Sequence, residues 1–407
     1  MDIFIARQPI LDRHKHLYAY EVLYRSSMDN WYPAEVESDD ATHTILAHVL
    51  FNIGLDAITG SHRAMINFPE NHILQKTPTL LPQQRCIVEI LETTLPSLDV
   101  LAACRELREM GYTLALDDFD FNAQSEQLIP SVHIVKVDFQ AIDRQRLAEN
   151  MQRMHSYAGV SWLAEKIENY EEFQQALDLR FDYFQGHFFN KAEVLKNKAI
   201  DTSKVLLLTL LAETCRPEID LKKIEALIAP DVALSFKLLR YINSVFYSLA
   251  RKVTSIHYAL IYLGEYGVRQ FVSLAATSEI CEGKSSELLR LSMVRAQLCH
   301  LLGESTRTRD EASQLFLLGL FSLLDAMLDM PMAELTRTLP LTDDLKRGLN
   351  ERSGPMAPYL QAVIAYEQGD FQECAAILRL LGIAPDTMID AYFKALAWAD
   401  QFDVNCR

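Results

Sequence analysis

Residues 113–119 read TLALDDF, a short apolar run that ends on two adjacent aspartates, Asp117 and Asp118. Six further runs in the first half of the chain have the same form and end on a carboxylate, an amide or a lysine. They read YAYEVLYR (18–25), RAMINF (63–68), CIVEILE (86–92), IVKVDF (134–139), SWLAEKIE (161–168) and DYFQGHFF (182–189). Apolar runs of this length that are rich in β-branched and aromatic residues predict buried strands.

Helix-like stretches separate these strand-like runs, for example residues 96–110 and 170–178, which have apolar residues three and four positions apart. Strands that alternate with helices indicate βαβ units and a mostly parallel sheet. With the opening run DIFIARQPI (2–10), the sequence contains about eight strands, the number in a (β/α)8 barrel. We therefore predict an α/β barrel whose site is built from the carboxyl ends of its strands.

The second half of the chain has a different pattern. The segment KAEVLKNKAIDTSK (191–204) has little apolar periodicity and is typical of a linker, and every apolar run from Val205 onward is helical in spacing. Proline and glycine residues separate these runs. We predict a barrel domain over residues 1–195 and an all-α domain over residues 203–407.

Composition excludes several classes of function. The net charge is −16 over 407 residues, which argues against a protein that binds nucleic-acid polymers or anionic membranes. Seven scattered cysteines without a C-x-x-C pair indicate reduced thiols and no zinc site. No apolar stretch is long enough to span a bilayer, so we expect a cytoplasmic protein.

The predicted strand ends carry a chemically coherent set of side chains. These are Glu21, Asn67, Glu89, Asp117, Asp118, Lys136, Glu165 and Gln185. Five carboxylates and an amide oxygen suit Mg²⁺ or Mn²⁺, and a lysine suits a phosphate ester. The residues themselves therefore predict a metal-dependent phosphodiesterase with a two-metal site.

The same motifs resemble the EAL-domain cyclic di-GMP phosphodiesterases, whose fold is a modified TIM barrel. The resemblance covers nearly the whole first domain: ARQPI (6–10) resembles the opening strand, and Glu21-Val22-Leu23 followed by Arg25 resembles the signature that gives the family its name. INFPE, EILE, Asp117-Asp118-Phe119, KVD, AEKIE and Gln185-Gly186 resemble the later motifs in the same order.

The resemblance implies a role for each matching residue. The metal ligands would be Glu21, Asn67, Glu89, Asp117, Asp118 and Glu165. Catalytic roles fall to Lys136, Glu165 and Gln185, substrate contacts to Gln8, Pro9 and Arg25, and supporting positions to Glu92, Asp138 and Glu168. The implied reaction is hydrolysis of cyclic di-GMP to linear pGpG. Lys136 has a second interpretation as a structural ion-pair partner of Asp117 or Asp138.

The sequence departs from the family pattern at two places, of which the first bears on activity and the second is milder. The loop after the double aspartate reads Asp120-Phe121-Asn122-Ala123-Gln124-Ser125 where the family has a glycine-rich sequence, and Lys166 replaces a glycine. The loop leaves open whether the protein forms the homodimer that the resemblance implies.

The second half resembles the HDOD domain, an interaction or output module related to HD phosphohydrolases. The stretch APDVALSFKLLRYINSVFYS (229–248) and the following KVTSIHYALIYLGEYGVRQF carry this resemblance. No adjacent His-Asp pair occurs in the chain, so the metal core of a working HD hydrolase is absent. We expect this domain to bind an unidentified protein partner.

Two other functions compete with the phosphodiesterase. One is a receptor that binds cyclic di-GMP without cutting it and signals through the helical domain. The other is a scaffold that binds no nucleotide. Binding without turnover would select the receptor, and the absence of binding would select the scaffold.

Overall fold

The computed structural model describes residues 4–25, 54–191, 202–216, 218–243, 252–281, 284–307 and 309–406. The chain divides into two compact units. The first comprises residues 1–191 together with the later segment Tyr366–Gln372, and the second comprises the remaining residues.

The first unit is a closed barrel of eight strands that follow one another in chain order. The strands are β1 (Phe4–Asp12), β2 (Leu17–Arg25), β3 (Arg63–Phe68), β4 (Cys86–Ile90), β5 (Thr113–Leu116), β6 (Ile134–Asp138), β7 (Ser161–Glu165) and β8 (Tyr183–Gln185). Strand β1 is antiparallel to both of its neighbours, β2 and β8, whereas the other neighbouring pairs are parallel. The predicted α/β barrel is confirmed, and the antiparallel first strand is what distinguishes it from a regular (β/α)8 barrel.

Helices connect the barrel strands. The described ones are α1 (Leu55–Thr59), α2 (Glu70–Leu74), α3 (Leu98–Glu109), α4 (Arg144–Met154) and α5 (Tyr170–Asp178). The N-cap residues of the three longest helices are Ser97, Asp143 and Asn169, and their side chains accept hydrogen bonds from backbone N–H groups of the first turn. These caps satisfy donors that have no partner within the helix, which explains why the helices begin at these residues.

One layer of apolar side chains fills the barrel interior beneath the strand ends. It consists of Ile10, Ala19, Met65, Ile87, Ala115, Ile134 and Leu163, with Tyr18 and Tyr183 packed against it. Because side chains on a strand alternate between faces, the residue two positions later on each strand also points into the barrel. From β2 to β8, the residues two positions beyond this layer are polar or charged: Glu21, Asn67, Glu89, Asp117, Lys136, Glu165 and Gln185. They follow Ala19, Met65, Ile87, Ala115, Ile134, Leu163 and Tyr183, respectively.

From residue 202 onward the described chain is helical. The helices are α6 (Thr202–Thr214), α7 (Leu221–Ile228), α8 (Val232–Ile242), α9 (Ile256–Ile280), α10 (Ser286–Glu304), α11 (Arg309–Phe321), α12 (Leu324–Leu328), α13 (Met332–Thr338), α14 (Asp343–Asn350), α15 (Ala357–Glu367), α16 (Phe371–Leu380) and α17 (Asp386–Cys406). The predicted all-α second half is confirmed. Among the helices that the structure describes, none combines the length and apolar character needed to cross a membrane.

Candidate active site

Lys136 lies at the centre of the polar layer at the strand ends. Its side chain is 1% exposed, and its Nζ lies 2.8 Å from Asp117 Oδ1, 2.7 Å from Glu165 Oε1 and 3.6 Å from Glu21 Oε2. It also donates a hydrogen bond to Glu89 Oε1. Four carboxylates from four different strands therefore converge on one buried ammonium group. Since one ammonium cannot neutralise four carboxylates, the cluster has an excess of negative charge when all are ionised.

Burial shapes the ionisation of this cluster. It raises the pKa of Glu165 to about 8, although the neighbouring Lys136 ammonium acts in the opposite direction. It raises the pKa of Glu89 well above the ordinary value for the same reason. For Lys136, burial by itself lowers the pKa, but the four carboxylates outweigh it and hold the pKa well above normal. The site therefore keeps a protonated lysine and favours protons on its most buried carboxyls, as expected for negative charges gathered away from water.

Gln185 borders this cluster on the last strand. Its Nε2 donates hydrogen bonds to Glu21 Oε2 at 2.6 Å and to Gln8 Oε1 at 2.9 Å. Its Oε1 and the Oε2 of Glu89 are buried and have no hydrogen-bond partner among the described residues. Two buried oxygen acceptors without donors are costly in a folded protein unless a ligand, a metal or water supplies the missing contact.

Asp118 lies outside the buried cluster. It follows Asp117 with a left-handed backbone (φ 39°), and its side chain is exposed. Burial and the adjacent Asp117 carboxylate raise its pKa, and Lys166 acts in the opposite direction. The double aspartate thus places one carboxylate in the cluster around Lys136 and one outside it.

Lys166 is the site residue whose role the sequence analysis missed. It directly follows Glu165 with φ 57°, a left-handed conformation that is uncommon for residues other than glycine. Its Nζ lies 2.5 Å from Asp138 Oδ2, and Asp138 Oδ1 accepts hydrogen bonds from the backbone N–H groups of Gln140 and Ala141. Asp138 therefore pairs with Lys166 and not with Lys136. The signal was present in the sequence, because a lysine stood at a strand end beside a candidate ligand.

The remaining candidate residues lie in varied surroundings. Asn67 is half-buried and is the register partner of Glu89 on the neighbouring strand. Glu92 is exposed, and Glu168 forms an ion pair with Lys191 at 2.7 Å. Pro9 is half-buried on β1. The predicted contact of the Arg25 side chain falls outside the described part of the structure.

The loop after the double aspartate is closed by its own side chains. Asp120 accepts hydrogen bonds from the Asn122 side chain and from Ser125 Oγ at 2.9 Å, and Asn122 Oδ1 accepts from the backbone N–H groups of Gln124 and Ser125. Although partial burial acts to raise the pKa of Asp120, these hydrogen bonds outweigh it and lower the pKa. The loop is therefore ordered by contacts within itself.

The residues of the site fit divalent cations by their chemistry. Carboxylate and amide oxygens are the ligands that Mg²⁺ and Mn²⁺ prefer, and the buried Oε2 of Glu89 has no partner in the described chain. Across the described residues, no group of three or more acidic, histidine or cysteine side chains is already arranged around an open metal position. The reason is visible in the geometry, because the carboxylates are drawn towards Lys136 Nζ. A cation would have to compete with this ammonium group.

Comparison with protein families and individual relatives extends this picture. Residues 2–192 match the EAL domain family and residues 201–328 match the HDOD domain family. The chain is 37% identical over 403 residues to a protein named cyclic di-GMP phosphodiesterase CdgJ from Vibrio cholerae, covering 99% of this chain and 93% of that protein. It is 31% identical over 406 residues to the uncharacterized protein YuxH from Bacillus subtilis, covering 98% of each.

Solved structures similar to this chain match about half of it. An EAL domain protein from Listeria monocytogenes has 21% identity and a TM-score of 0.39, covering 46% of this chain and 87% of that chain. The Bacillus subtilis YkuI protein, which has an EAL domain and was solved with c-di-GMP and calcium, has 18% identity and a TM-score of 0.38, covering 46% and 53%.

Proposed function

The chain belongs to the family of two-domain proteins in which an EAL domain precedes an HDOD domain, and on this basis we propose that it hydrolyses cyclic di-GMP to linear pGpG with the help of divalent metal ions. The observation that carries the proposal is the convergence of Glu21, Glu89, Asp117 and Glu165 on one buried lysine. The relative with 37% identity over nearly the whole chain is named for this reaction.

We propose that the metal ligands come from strands β2, β3, β4 and β7 and from the turn that follows β5. They are Glu21, Asn67, Glu89, Asp117, Asp118 and Glu165, with Mg²⁺ or Mn²⁺ as the ion. Two such ions, when bound, would lower the pKa of a water molecule and neutralise charge on the attacked phosphate.

The chain's own residues have distinct roles in this proposal. With divalent cations held by the carboxylates, the Lys136 ammonium would be placed to bind a phosphate oxygen of the substrate. Glu165, whose Oε1 lies 2.7 Å from Lys136 Nζ, is placed to accept a proton from the attacking water when its carboxylate is ionised. Gln185 Oε1 is a buried acceptor that can orient that water. Asp138 and Lys166 hold the ends of β6 and β7 together beside these groups.

We also propose a role for the second unit in binding a protein partner. Large apolar side chains are exposed on two neighbouring helices that pack against each other: Val232 and Phe236 on α8, and Tyr258, Ile261 and Tyr262 on α9. The three on α9 are spaced by three and four residues and so share one face of the helix. Several large apolar side chains exposed on helices that pack together are typical of interaction sites.

Cytoplasmic location is part of the same proposal. It is supported by the buried thiols Cys86, Cys104 and Cys215, which form no disulfide. Burial raises the pKa of Cys86 to about 12, so this thiol is an inert part of the core.

A receptor that binds cyclic di-GMP without cutting it is the competing function. One observation favours it: the loop after Asp118 is ordered by its own hydrogen bonds among Asp120, Asn122 and Ser125. A loop that is already closed in this way has less freedom to respond to a metal or a substrate.

Turnover of cyclic di-GMP by the purified full-length protein distinguishes the two functions. We expect pGpG to appear with Mg²⁺ or Mn²⁺ and not with EDTA, and we expect Glu21→Ala and Asp117→Ala to abolish it. Asp56→Ala is the matched control, because its carboxylate is 84% exposed on the barrel surface, away from the cluster. Binding of cyclic di-GMP without turnover would establish the receptor. Wild-type turnover in Glu21→Ala would refute the ligand assignment.

A further inference from the structure

Gln8 lies on β1, the strand that closes the barrel by pairing with both β2 and β8. On antiparallel β1 it is the register partner of Glu21, and Ile10, two residues later on the same face, is the partner of Gln185. Gln8 Oε1 accepts a hydrogen bond from Gln185 Nε2 at 2.9 Å. The two glutamines are 177 residues apart in the chain, so this contact exists only because the barrel is closed.

The hydrogen bonds fix the orientation of the Gln185 side-chain amide. An amide NH₂ group has two protons to donate, and those of Gln185 are used by Gln8 and Glu21. Its Oε1 therefore points away from both, and it is buried without a hydrogen-bond partner in the described part of the chain. The residue is 5% exposed and the oxygen itself is buried, so bulk water does not satisfy this oxygen.

The two side chains that accept hydrogen bonds from Gln185, Glu21 and Gln8, differ in whether they also bind a metal ion in the proposed site. Glu21 is a proposed metal ligand, and a metal would take its oxygens as ligands. Gln8 is neutral and is not part of the carboxylate ring, so its Oε1 stays available as the acceptor that keeps the Gln185 amide from rotating by 180°. A rotated amide would place donor protons where an acceptor is needed.

We propose that Gln8 is a positioning residue that acts through Gln185, and that it does so by keeping Gln185 Oε1 directed as an acceptor towards a proton of the attacking water. This inference rests on the proposed phosphodiesterase function. It differs from the role implied by family resemblance, in which Gln8 itself contacts the substrate. The two roles predict different kinetic effects.

The test compares Gln8→Met, which keeps the length of the side chain but removes its acceptor, with wild type and Gln185→Met. We expect Gln8→Met to lower kcat about 5- to 10-fold and to leave KM unchanged, since one correctly placed hydrogen bond contributes about 1 kcal/mol. In the Gln185→Met background, Gln8→Met should lower kcat no further, because residues that act as a unit are not additive. Gln145→Met on the exposed surface of α4 is the control.

A second readout is equilibrium binding of cyclic di-GMP in EDTA, where no turnover occurs. Unchanged affinity in Gln8→Met supports the positioning role. Weaker binding, a raised KM with an unchanged kcat, or additive effects of the two substitutions would overturn it and assign Gln8 to the substrate. Wild-type turnover is measured first, so a failure of the proposed function is recognised before the variants are compared.

Discussion

The buried lysine provides the sharpest test of how the active site is held together. Lys136→Met removes the ammonium group around which Glu21, Glu89, Asp117 and Glu165 converge, while keeping most of the apolar stem. Without metal, the four carboxylates then face one another in a site where none of their side chains is more than 17% exposed. Burial already raises the pKa values of two of these carboxyls, Glu89 and Glu165. In the variant, the carboxyls must therefore bind additional protons, or their mutual repulsion destabilises the fold.

The expected loss of folding stability in Lys136→Met follows from the burial of the site. Removing one partner of a buried ion pair costs about 3–5 kcal/mol of folding free energy, because the remaining charge stays buried without compensation. Lys166→Met is the matched control. It removes an ammonium that pairs with Asp138 on the neighbouring strand end, but the Lys166 side chain is 57% exposed. An exposed ion pair contributes about 0–1 kcal/mol, so the two lysine substitutions should differ several-fold in effect.

Urea unfolding at pH 7, followed by far-UV circular dichroism, measures both variants in EDTA and in Mn²⁺. In EDTA, Lys136→Met should be much less stable than Lys166→Met. Mn²⁺ should restore more stability to Lys136→Met than to wild type, because the cation no longer competes with the ammonium. Saturation at a hundred times the dissociation constant adds about 2.7 kcal/mol. Equal losses in the two variants, or no rescue by Mn²⁺, would refute the view that buried positive charge holds this cluster together.

Two further predictions concern protonation and backbone geometry. The pKa of Glu165 is raised to about 8 from an unfolded value of 4.5, so the folded metal-free protein holds a proton that the unfolded chain has released between these pH values. The free energy of unfolding in EDTA should therefore fall as pH rises from about 5 to about 8. Over the same pH range, the affinity for Mn²⁺ should rise. Calorimetric Mn²⁺ titrations that show no pH dependence would contradict this. Gly186→Ala should destabilise the barrel by about 2–3 kcal/mol, because at φ 140° a Cβ would lie 2.2 Å from the backbone oxygen of Ile167. Gly159→Ala, also at positive φ but with open space around it, should cost less in the same thermal unfolding assay.

The sequence alone determined the class of fold and the polar residues at the strand ends. Period-two alternation places Glu89 two residues after Ile87 and Asp117 two residues after Ala115, so each polar residue must share a face with an apolar one that fills the interior. Helical spacing after residue 205 likewise determined the all-α second half. These features are local, because they depend only on neighbours along the chain.

Only the tertiary structure decided how the strand ends meet. The antiparallel course of β1, the contact between Gln8 and Gln185, and the central position of Lys136 depend on barrel closure, which joins residues far apart in the chain. The tertiary structure also decided the left-handed backbone of Lys166 and its pairing with Asp138, although a lysine at a glycine position of the resembled family had marked the site. The periodicity of a strand determines which face each side chain occupies. The charge balance of a buried cluster depends instead on distances between residues that are far apart in the chain, and only the folded structure sets those distances.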